Sequence, residues 1–475
     1  MNRTDWLIRG LRKGASPRGR PRRLALASGC AVVLVAAAAC SSSGSSGSGG
    51  SAGSGGSGGK VNLTYAQWTT PEQAGYQKSI NAFEQLHPNI HVTIETFAYN
   101  DYQPKLTTEF SSGGGPDVYW VNTPMIATWL KDGVMEDLTS KIASAHVNLS
   151  QYIQTLVSLH QFSGKLYGLP KDWDTIAYFY NADYFSQHHI TVPSGLTWNP
   201  ADGGTWLSFL KSLTYDTSGH NALSPGFNSG SVATYGVDSP NEMQWGFEPY
   251  LAEDGVKLIS QPYAKSVSFD TPAATQTFQF LTDLMYKYHV AAPGSDLGTD
   301  AAANNTEDQT MFAKGKVAMI EGGSWEIAGL AQEVKFKLGV LQFPSGPAGD
   351  WTVVNGLIDS INAHSPNQQA AWELEQWLGS PTSEQIMGSG GYIWPGIGSL
   401  DPSFATYWNS HGVDVTPFET ESKWNTVFWP VTPGMNQAQL DIANQLAPAY
   451  LTGKNVGAAV DAAAKQANND LATAG

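Results

Sequence analysis

The stretch that decides the fold covers residues 61–121 and contains three strand-like segments: Val61-Asn62-Leu63-Thr64-Tyr65, Ile90-His91-Val92-Thr93-Ile94 and Val118-Tyr119-Trp120-Val121. The first two alternate apolar and polar residues, as half-buried strands do. The third is continuously apolar, which is typical of a buried parallel strand. Residues 73–86 and 102–111, which separate these segments, have apolar side chains at helical spacing. This β-α-β-α-β order predicts an α/β fold with a parallel sheet.

The same alternation returns further along the chain. Residues 315–320 are predicted to form a strand that leads into a helix, and the strand-like run 352–361 is followed by a predicted helix over 366–378. Residues 196–230 are rich in Gly, Ser, Thr and Asn, and they are expected to form long surface loops.

The N-terminus has the pattern of an export signal. Residues 1–23 are basic, residues 24–39 are largely apolar, and small residues lead to Cys40. This order predicts a secretory signal peptide, which is too short for a spanning helix of about 20 residues. Arg22-Arg23 is compatible with twin-arginine export as well as with the general secretory route.

Cys40 is the last cysteine of the chain, so the part after the signal cannot form an internal disulfide. A single cysteine directly after a signal resembles the lipobox of bacterial lipoproteins, which implies a lipid on the Cys40 thiol. Ala37 departs from the Leu that is preferred three residues before that cysteine. The alternative is a plain signal peptide that is cut nearby and releases the protein.

Residues 41–59 contain only Ser, Gly and Ala, a composition that predicts a flexible tether of roughly 25 Å average reach. The remaining 416 residues, 60–475, exceed what one core usually carries, so two lobes are expected.

The charge balance excludes several classes of ligand. Without residues 1–39 the chain keeps 40 acidic and 18 basic residues, and all of the basic ones are lysines. Arginine is the usual bidentate partner of phosphate and carboxylate groups. A strongly acidic chain without arginine is therefore a poor candidate for binding nucleic acid or sugar phosphates.

Several motifs, taken in order, resemble the extracellular sugar-binding proteins of bacterial ABC importers, the maltose-binding-like group. They lie in residues 81–90 (with Phe83-Glu84 and His87-Pro88-Asn89-Ile90), 115–120, 167–181, 312–325 and 355–366. The resemblance covers residues 60–390 and is loose after Gly396.

The resemblance implies a two-lobe periplasmic-binding-protein fold of type II, with a hinge at which the chain crosses between lobes. The first lobe is expected to hold residues 60–175 and 359–402, and the second residues 178–356 and 403–475. The hinge is expected near 175–178 and 354–360. Such proteins close their lobes around the ligand.

The expected ligand is a neutral mono- or oligosaccharide, because aromatic planes suit the face of a sugar ring and carboxylate or amide groups suit its hydroxyls. Loops that follow strands are the best candidates for contacts with it. The predicted ligand-binding residues are Trp68, Asn122, Asp174, Trp245, Trp325, Asn355 and Trp394.

The resemblance places Asp174 beside the hinge, and Trp245 and Trp325 where the family uses stacking rings. For Asn122 the alternative role is a helix N-cap. Trp394, with its neighbour Tyr392, could equally pack the edge of a lobe.

The sequence therefore predicts the substrate-binding component of an ABC sugar importer. It is expected to be a monomer anchored through Cys40 at the extracellular face of the cytoplasmic membrane. We expect no catalysis, no cofactor, no metal and no nucleic acid, with the permease subunits as partners. Two alternatives remain open: a secreted glycoside hydrolase, which would need a pair of closely spaced carboxylates, and an adhesin with a vestigial cleft.

Overall fold

The computed structural model describes residues 59–68, 70–261, 263–297, 307–428 and 431–474, and residues 58–475 form one unit by their contacts. The predicted signal, Cys40 and nearly all of the tether lie outside the described residues. No helix in the described part is long and apolar enough to span a bilayer.

The strands are short, and the longest two lie near the N-terminal end of the described chain. Their bounds are β1 (Val61–Trp68), β2 (Ile90–Phe97), β3 (Val118–Val121), β4 (Gln161–Phe162), β5 (Lys165–Leu166), β6 (Ile176–Asn181), β7 (Tyr215–Asp216), β8 (Val232–Thr234), β9 (Met319–Gly323), β10 (Leu338–Leu341), β11 (Trp351–Val354), β12 (Ile358–Ile361) and β13 (Asn425–Phe428).

Helices occupy most of the remaining regular structure. Their bounds are α1 (Gln73–Leu86), α2 (Tyr99–Ser111), α3 (Thr123–Lys131), α4 (Thr139–Ser144), α5 (Gln154–Leu159), α6 (Ala182–Gln187), α7 (Gly204–Leu213), α8 (Glu248–Glu253), α9 (Pro272–Tyr286), α10 (Gly294–Leu297), α11 (Glu307–Ala313), α12 (Ile327–Glu333), α13 (Gln368–Leu378), α14 (Pro381–Ser389), α15 (Pro402–Ser410), α16 (Thr416–Glu421), α17 (Met435–Thr452) and α18 (Val456–Ala474).

The first sheet has the strand order β12-β3-β1-β2. Strands β1 and β2 pair in parallel along their whole length, from Val61 with Ile90 to Trp68 with Phe97, and β3 is parallel to β1. Strand β12 returns antiparallel to β3. The predicted β-α-β-α-β opening is confirmed, and β3 is fully buried as its apolar run requires.

A second set of strands lies further along the chain. Strand β6 is the centre of a sheet with the order β10-β6-β9, and it pairs antiparallel with both neighbours. Strand β11 pairs in parallel with β13. We call the elements packed on the first sheet the first lobe, and those packed on these later strands the second lobe.

Each lobe has its own apolar core. The core of the first lobe includes Trp120 and Trp129, and α13 contributes to it from far along the chain. The core of the second lobe is larger and joins α7, α8 and α9 to the C-terminal helices α17 and α18. This arrangement is the predicted two-lobe α/β fold; the residue limits given for each lobe remain predictions.

The chain crosses between lobes at adjacent segments. The backbones of Asp174 and Asn355 exchange two hydrogen bonds, of 2.9 and 3.1 Å, and Trp173 N donates to Trp394 O at 3.1 Å. Gly356 fits between these segments, since a side chain there would lie within 2.8 Å of Asp172 O and of the Leu156 side chain. Close packing of the crossings explains why a glycine stands at this point.

Three expectations from the sequence were wrong in detail. Residues 204–213 form α7 rather than surface loop, because Trp206, Leu210 and Leu213 lie at helical spacing and are buried. The run 352–361 is two strands in different sheets, β11 and β12, interrupted at Gly356. The strand expected over 315–320 is β9, which begins only at Met319.

Candidate functional site

Trp68 lies at the carboxyl end of β1, inside a group of aromatic rings. Its ring centroid lies 4.8 Å from that of Trp120, 5.2 Å from that of Tyr102 and 5.4 Å from that of Tyr99, each in an edge-to-face arrangement. Trp68 is 9% exposed, whereas Tyr99, at the start of α2, is 36% exposed. In this group of rings, which we call the first aromatic wall, Tyr99 is therefore the exposed ring and Trp68 packs behind it.

Asn122 directly follows β3 and starts α3. Its Oδ1 accepts from Thr123 N at 2.8 Å, so the N-cap alternative is realised. Its Nδ2 points toward Tyr99 Oη at 3.5 Å. Thr123 Oγ1 donates to Asn355 Oδ1 at 3.3 Å, which ties the start of α3 to the crossing segment.

Trp325 follows β9 on the second lobe, in the turn Ser324–Glu326. Its ring centroid lies 6.0 Å from that of Trp245, with the ring planes at 66°, and both side chains are half-buried. A side chain at Gly323 would collide with the Trp325 ring, so glycine fixes where this ring lies.

Trp245 stands in a five-residue π-helical turn, Met243–Phe247. Glu242 caps this turn, because its Oε2 accepts from Trp245 N at 3.1 Å. Turns of this kind are rare and concentrate at functional sites. The cap places a carboxyl group directly beside one of the two tryptophans.

Asp174 links the crossing segment to the Trp325 turn. Its Oδ1 accepts from Ser324 Oγ at 2.5 Å, while its backbone pairs with Asn355. Burial, with a contribution from the charge of Asp172, raises the pKa of Asp174 to about 8. The carboxyl group therefore stands between the two lobes, where loss of hydration favours its protonated form.

Two further carboxyl groups border the same region. Glu72 precedes α1, and burial together with the charges of Asp172 and Asp174 raises its pKa well above the usual value. Burial raises the pKa of Glu242 to about 7. The charge of Glu242 also contributes, after burial, to a Tyr99 pKa of about 12. Tyr99 of the first lobe and Glu242 of the second thus border the same interlobal region.

Lys171 is the basic group of the crossing segment, and it is 2% exposed. Its Nζ lies 3.7 Å from the Trp120 ring centroid and 4.4 Å from that of Tyr76. Asp359 Oδ1 is 3.5 Å away, which is an ion pair at the long limit of a hydrogen bond. Asp359 also accepts from Tyr65 Oη at 2.7 Å.

The sequence model of one protein family, the bacterial extracellular solute-binding proteins, matches residues 78–410, about two thirds of the chain. The chain belongs to this family. The match includes strands of both lobes and the crossing segments that hold Asp174 and Asn355, and it leaves out β1, β13, α17 and α18.

Relatives and solved structures agree with this placement. The diacetylchitobiose-binding protein DasA of Streptomyces coelicolor is 25% identical over 359 residues, which cover 74% of this chain and 77% of that protein. Crystalline UspC of M. tuberculosis superposes with a TM-score of 0.69 at 28% identity, covering 86% of this chain and all of UspC. An ABC substrate-binding protein of Listeria monocytogenes, solved with cycloalternan, gives a TM-score of 0.73 at 20% identity, covering 86% and 98%.

In this binding protein the seven predicted site residues do not all lie together. Asp174, Trp245 and Trp325 are connected on the second-lobe side through Ser324 and the ring pair, while Asn355 joins them to Asn122 through Thr123. Trp68 is reached from Asn122 through Tyr99. These six form one continuous set of contacts around the crossing segments.

Trp394 is the exception. It is 1% exposed, and its ring packs 4.6 Å from each of Trp173 and Phe404. This placement favours the packing alternative over a surface that stacks on a ligand. Tyr392 is half-buried, and its hydroxyl accepts from Lys78 Nζ at 2.8 Å.

Glu72, Tyr99 and Glu242 were not among the residues predicted from the sequence. Tyr99 could have been found, because it follows β2 as Trp68 follows β1. Glu242 carried no such signal, since an irregular π-helical turn positions it. Among the described residues, no group of histidine, cysteine and carboxylate side chains has the arrangement of a metal site.

Proposed function

We propose that this binding protein captures a saccharide between its lobes and delivers it to the permease of an ABC importer. The observation that carries the proposal is the convergence of two aromatic walls on the crossing segments. Trp68 and Tyr99 line the first lobe, Trp245 and Trp325 line the second, and Asp174 stands between them.

This arrangement matches the two surfaces of a sugar. Half-buried indole and phenol rings offer flat faces for the C–H side of a pyranose. Asp174 Oδ2 and the Glu72 and Glu242 carboxyl groups offer oxygen atoms for its hydroxyls. The names of relatives add support, since they include binding proteins for galactooligosaccharide and diacetylchitobiose.

The proposed function is binding without catalysis. The family and the structural relatives are binding proteins, and the proposed function assigns Asp174, Glu72 and Glu242 to hydrogen bonding. Recovery of the ligand unchanged after prolonged incubation tests this; release of shorter saccharides would instead favour the glycoside hydrolase alternative.

Ligand binding is expected to compact the protein. Closing the lobes buries the sugar and brings the aromatic walls together. A thermal-shift screen of mono- and oligosaccharides identifies a stabilising ligand, and X-ray scattering with and without that ligand then measures the radius of gyration. An identical scattering profile at saturation would contradict lobe closure, and a screen without any stabilising saccharide would contradict the proposed function.

The proposal includes a lipid anchor on Cys40 at the extracellular face of the membrane. It rests on the signal-like order of residues 1–39 and on the Ser/Gly/Ala composition of residues 41–59. Mass spectrometry of protein extracted from the producing cells is expected to find a diacylglyceryl-modified Cys40 as the first residue. A free N-terminus at another position, in protein recovered from the medium, would show that the signal is cut without lipidation.

A further inference from the structure

Carboxyl groups accompany the aromatic rings of the proposed site. Glu242 caps the turn that carries Trp245, and Asp174 accepts from the serine that precedes Trp325. Glu72 stands at the start of α1, beside Asp172 and Asp174. The neighbouring Pro71 also approaches the second lobe, since a side chain at Gly329 in α12 would lie 3.3 Å from its ring.

These acids lack a compensating cation. Among the described residues none of the three forms an ion pair with a lysine or a histidine, and only for Glu72 does a lysine, Lys171, oppose the rise in pKa. Lys171 is already held by Asp359 and by the faces of Trp120 and Tyr76. The other two carboxyl groups therefore border the site without a positive partner.

A second observation is that buried polar groups near the aromatic rings also lack partners. Glu248 is 1% exposed, and neither of its carboxyl oxygens meets a hydrogen-bond donor among the described residues. Burial, with a contribution from the charge of Glu242, raises the pKa of Glu248 to about 8, so Glu248 belongs to the same group of acids. Gln67, fully buried in β1 next to Trp68, likewise has both amide atoms unpartnered among the described residues.

We propose that the saccharide bound here carries a protonated amine, so that the ligand is an amino sugar or an oligosaccharide that contains one. An ammonium group satisfies carboxylates that a hydroxyl can only hydrogen-bond, and it is attracted to the faces of Trp and Tyr rings. An ammonium group enclosed beside these acids on lobe closure favours their ionised form, which burial without a cation disfavours. This inference rests on the proposed function and names a narrower class of saccharide for the same site.

Matched ligands test the inference. Chitobiose, diacetylchitobiose and cellobiose share one linkage and differ at C2, where they carry an amine, an acetamide and a hydroxyl. Glucosamine, N-acetylglucosamine and glucose form the corresponding monosaccharide series, and galactosamine, N-acetylgalactosamine and galactose form a second one. In isothermal titration at neutral pH we expect the amine of at least one series to bind tenfold or more tighter than both of its counterparts.

Point variants test which carboxyl group causes the preference for the amine. Glu242→Gln is expected to reduce the preference for the amine over the hydroxyl analogue at least fivefold, because the amide keeps a hydrogen-bond acceptor but carries no negative charge. Glu333→Gln, an exposed glutamate at the end of α12, is the matched control and is expected to leave the preference unchanged. If hydroxyl or acetamide analogues bind as tightly as the amine in every series that binds, the inference is wrong while saccharide capture stands. If no saccharide binds, both are wrong.

Discussion

Replacing Trp325 by alanine is expected to weaken saccharide binding tenfold or more, which corresponds to a loss of about 1.4 kcal/mol. The ring is half-buried beside Trp245, and Gly323 leaves it no room to move toward β9. Its removal takes away a preorganised flat surface. The melting temperature is expected to change little, because this side chain belongs to the margin of the second core and not to its interior.

Isothermal titration measures this effect with the saccharide that stabilises the wild-type protein most. Trp351→Ala is the matched control: Trp351 is also half-buried on the second lobe, but its indole donates to Ala348 O at 3.2 Å and its ring lies near Lys257, outside the proposed site. An affinity unchanged in Trp325→Ala would remove Trp325 from the site. Equal losses in both variants would indicate a general effect on the second lobe.

Replacing Lys171 by methionine is expected to lower the free energy of unfolding by about 3–5 kcal/mol. The substitution keeps an apolar chain of similar length against Trp120 and Tyr76, but it removes the positive charge that pairs with Asp359. Burial already raises the pKa of Asp359, and Lys171 opposes that rise. Without the lysine an acid that is 1% exposed is left without a cation. Urea unfolding of the wild-type protein and the variant measures the loss.

The double variant Lys171→Met with Asp359→Asn is the control for this prediction. Because the asparagine is uncharged and can still accept from Tyr65 Oη, the double variant is expected to recover more than half of the lost stability. A Lys171→Met variant as stable as the wild-type protein would show that the pair contributes no net stability. A double variant less stable than the single one would place the effect in packing around the rings.

The first sheet could be predicted closely because its signals are local. Alternating residues define β1 and β2, a continuous apolar run defines β3, and the bounds predicted for α1 and β3 match the observed ones. The division of residues 352–361 between two sheets could not be predicted. This division depends on the close packing of Asp172 and Leu156 against Gly356. Both residues are more than 180 positions from Gly356 in the chain.

The candidate site was predictable where residues follow strands. Trp68 ends β1, Asn122 directly follows β3, and Trp325 lies two residues after β9. The structure connects them through Tyr99, Asn355 and Asp174. The burial of Trp394 could not be predicted from the sequence, because it depends on packing against Trp173 and Phe404. Glu242 and Glu248 could not be predicted as site residues, because the irregular turn between them has no periodic sequence pattern.

The C-terminal helices touch the first lobe at two points. Asn436 in α17 donates to Gln103 in α2, and Lys131 at the end of α3 donates to Ala474 O at 2.7 Å. Since no cysteine follows residue 40, single thiols introduced at positions 103 and 436 would be unique sites for dye labelling. Because the two side chains are in contact, a fluorescent sensor built on this pair would report ligand uptake by a change in contact quenching between the two dyes.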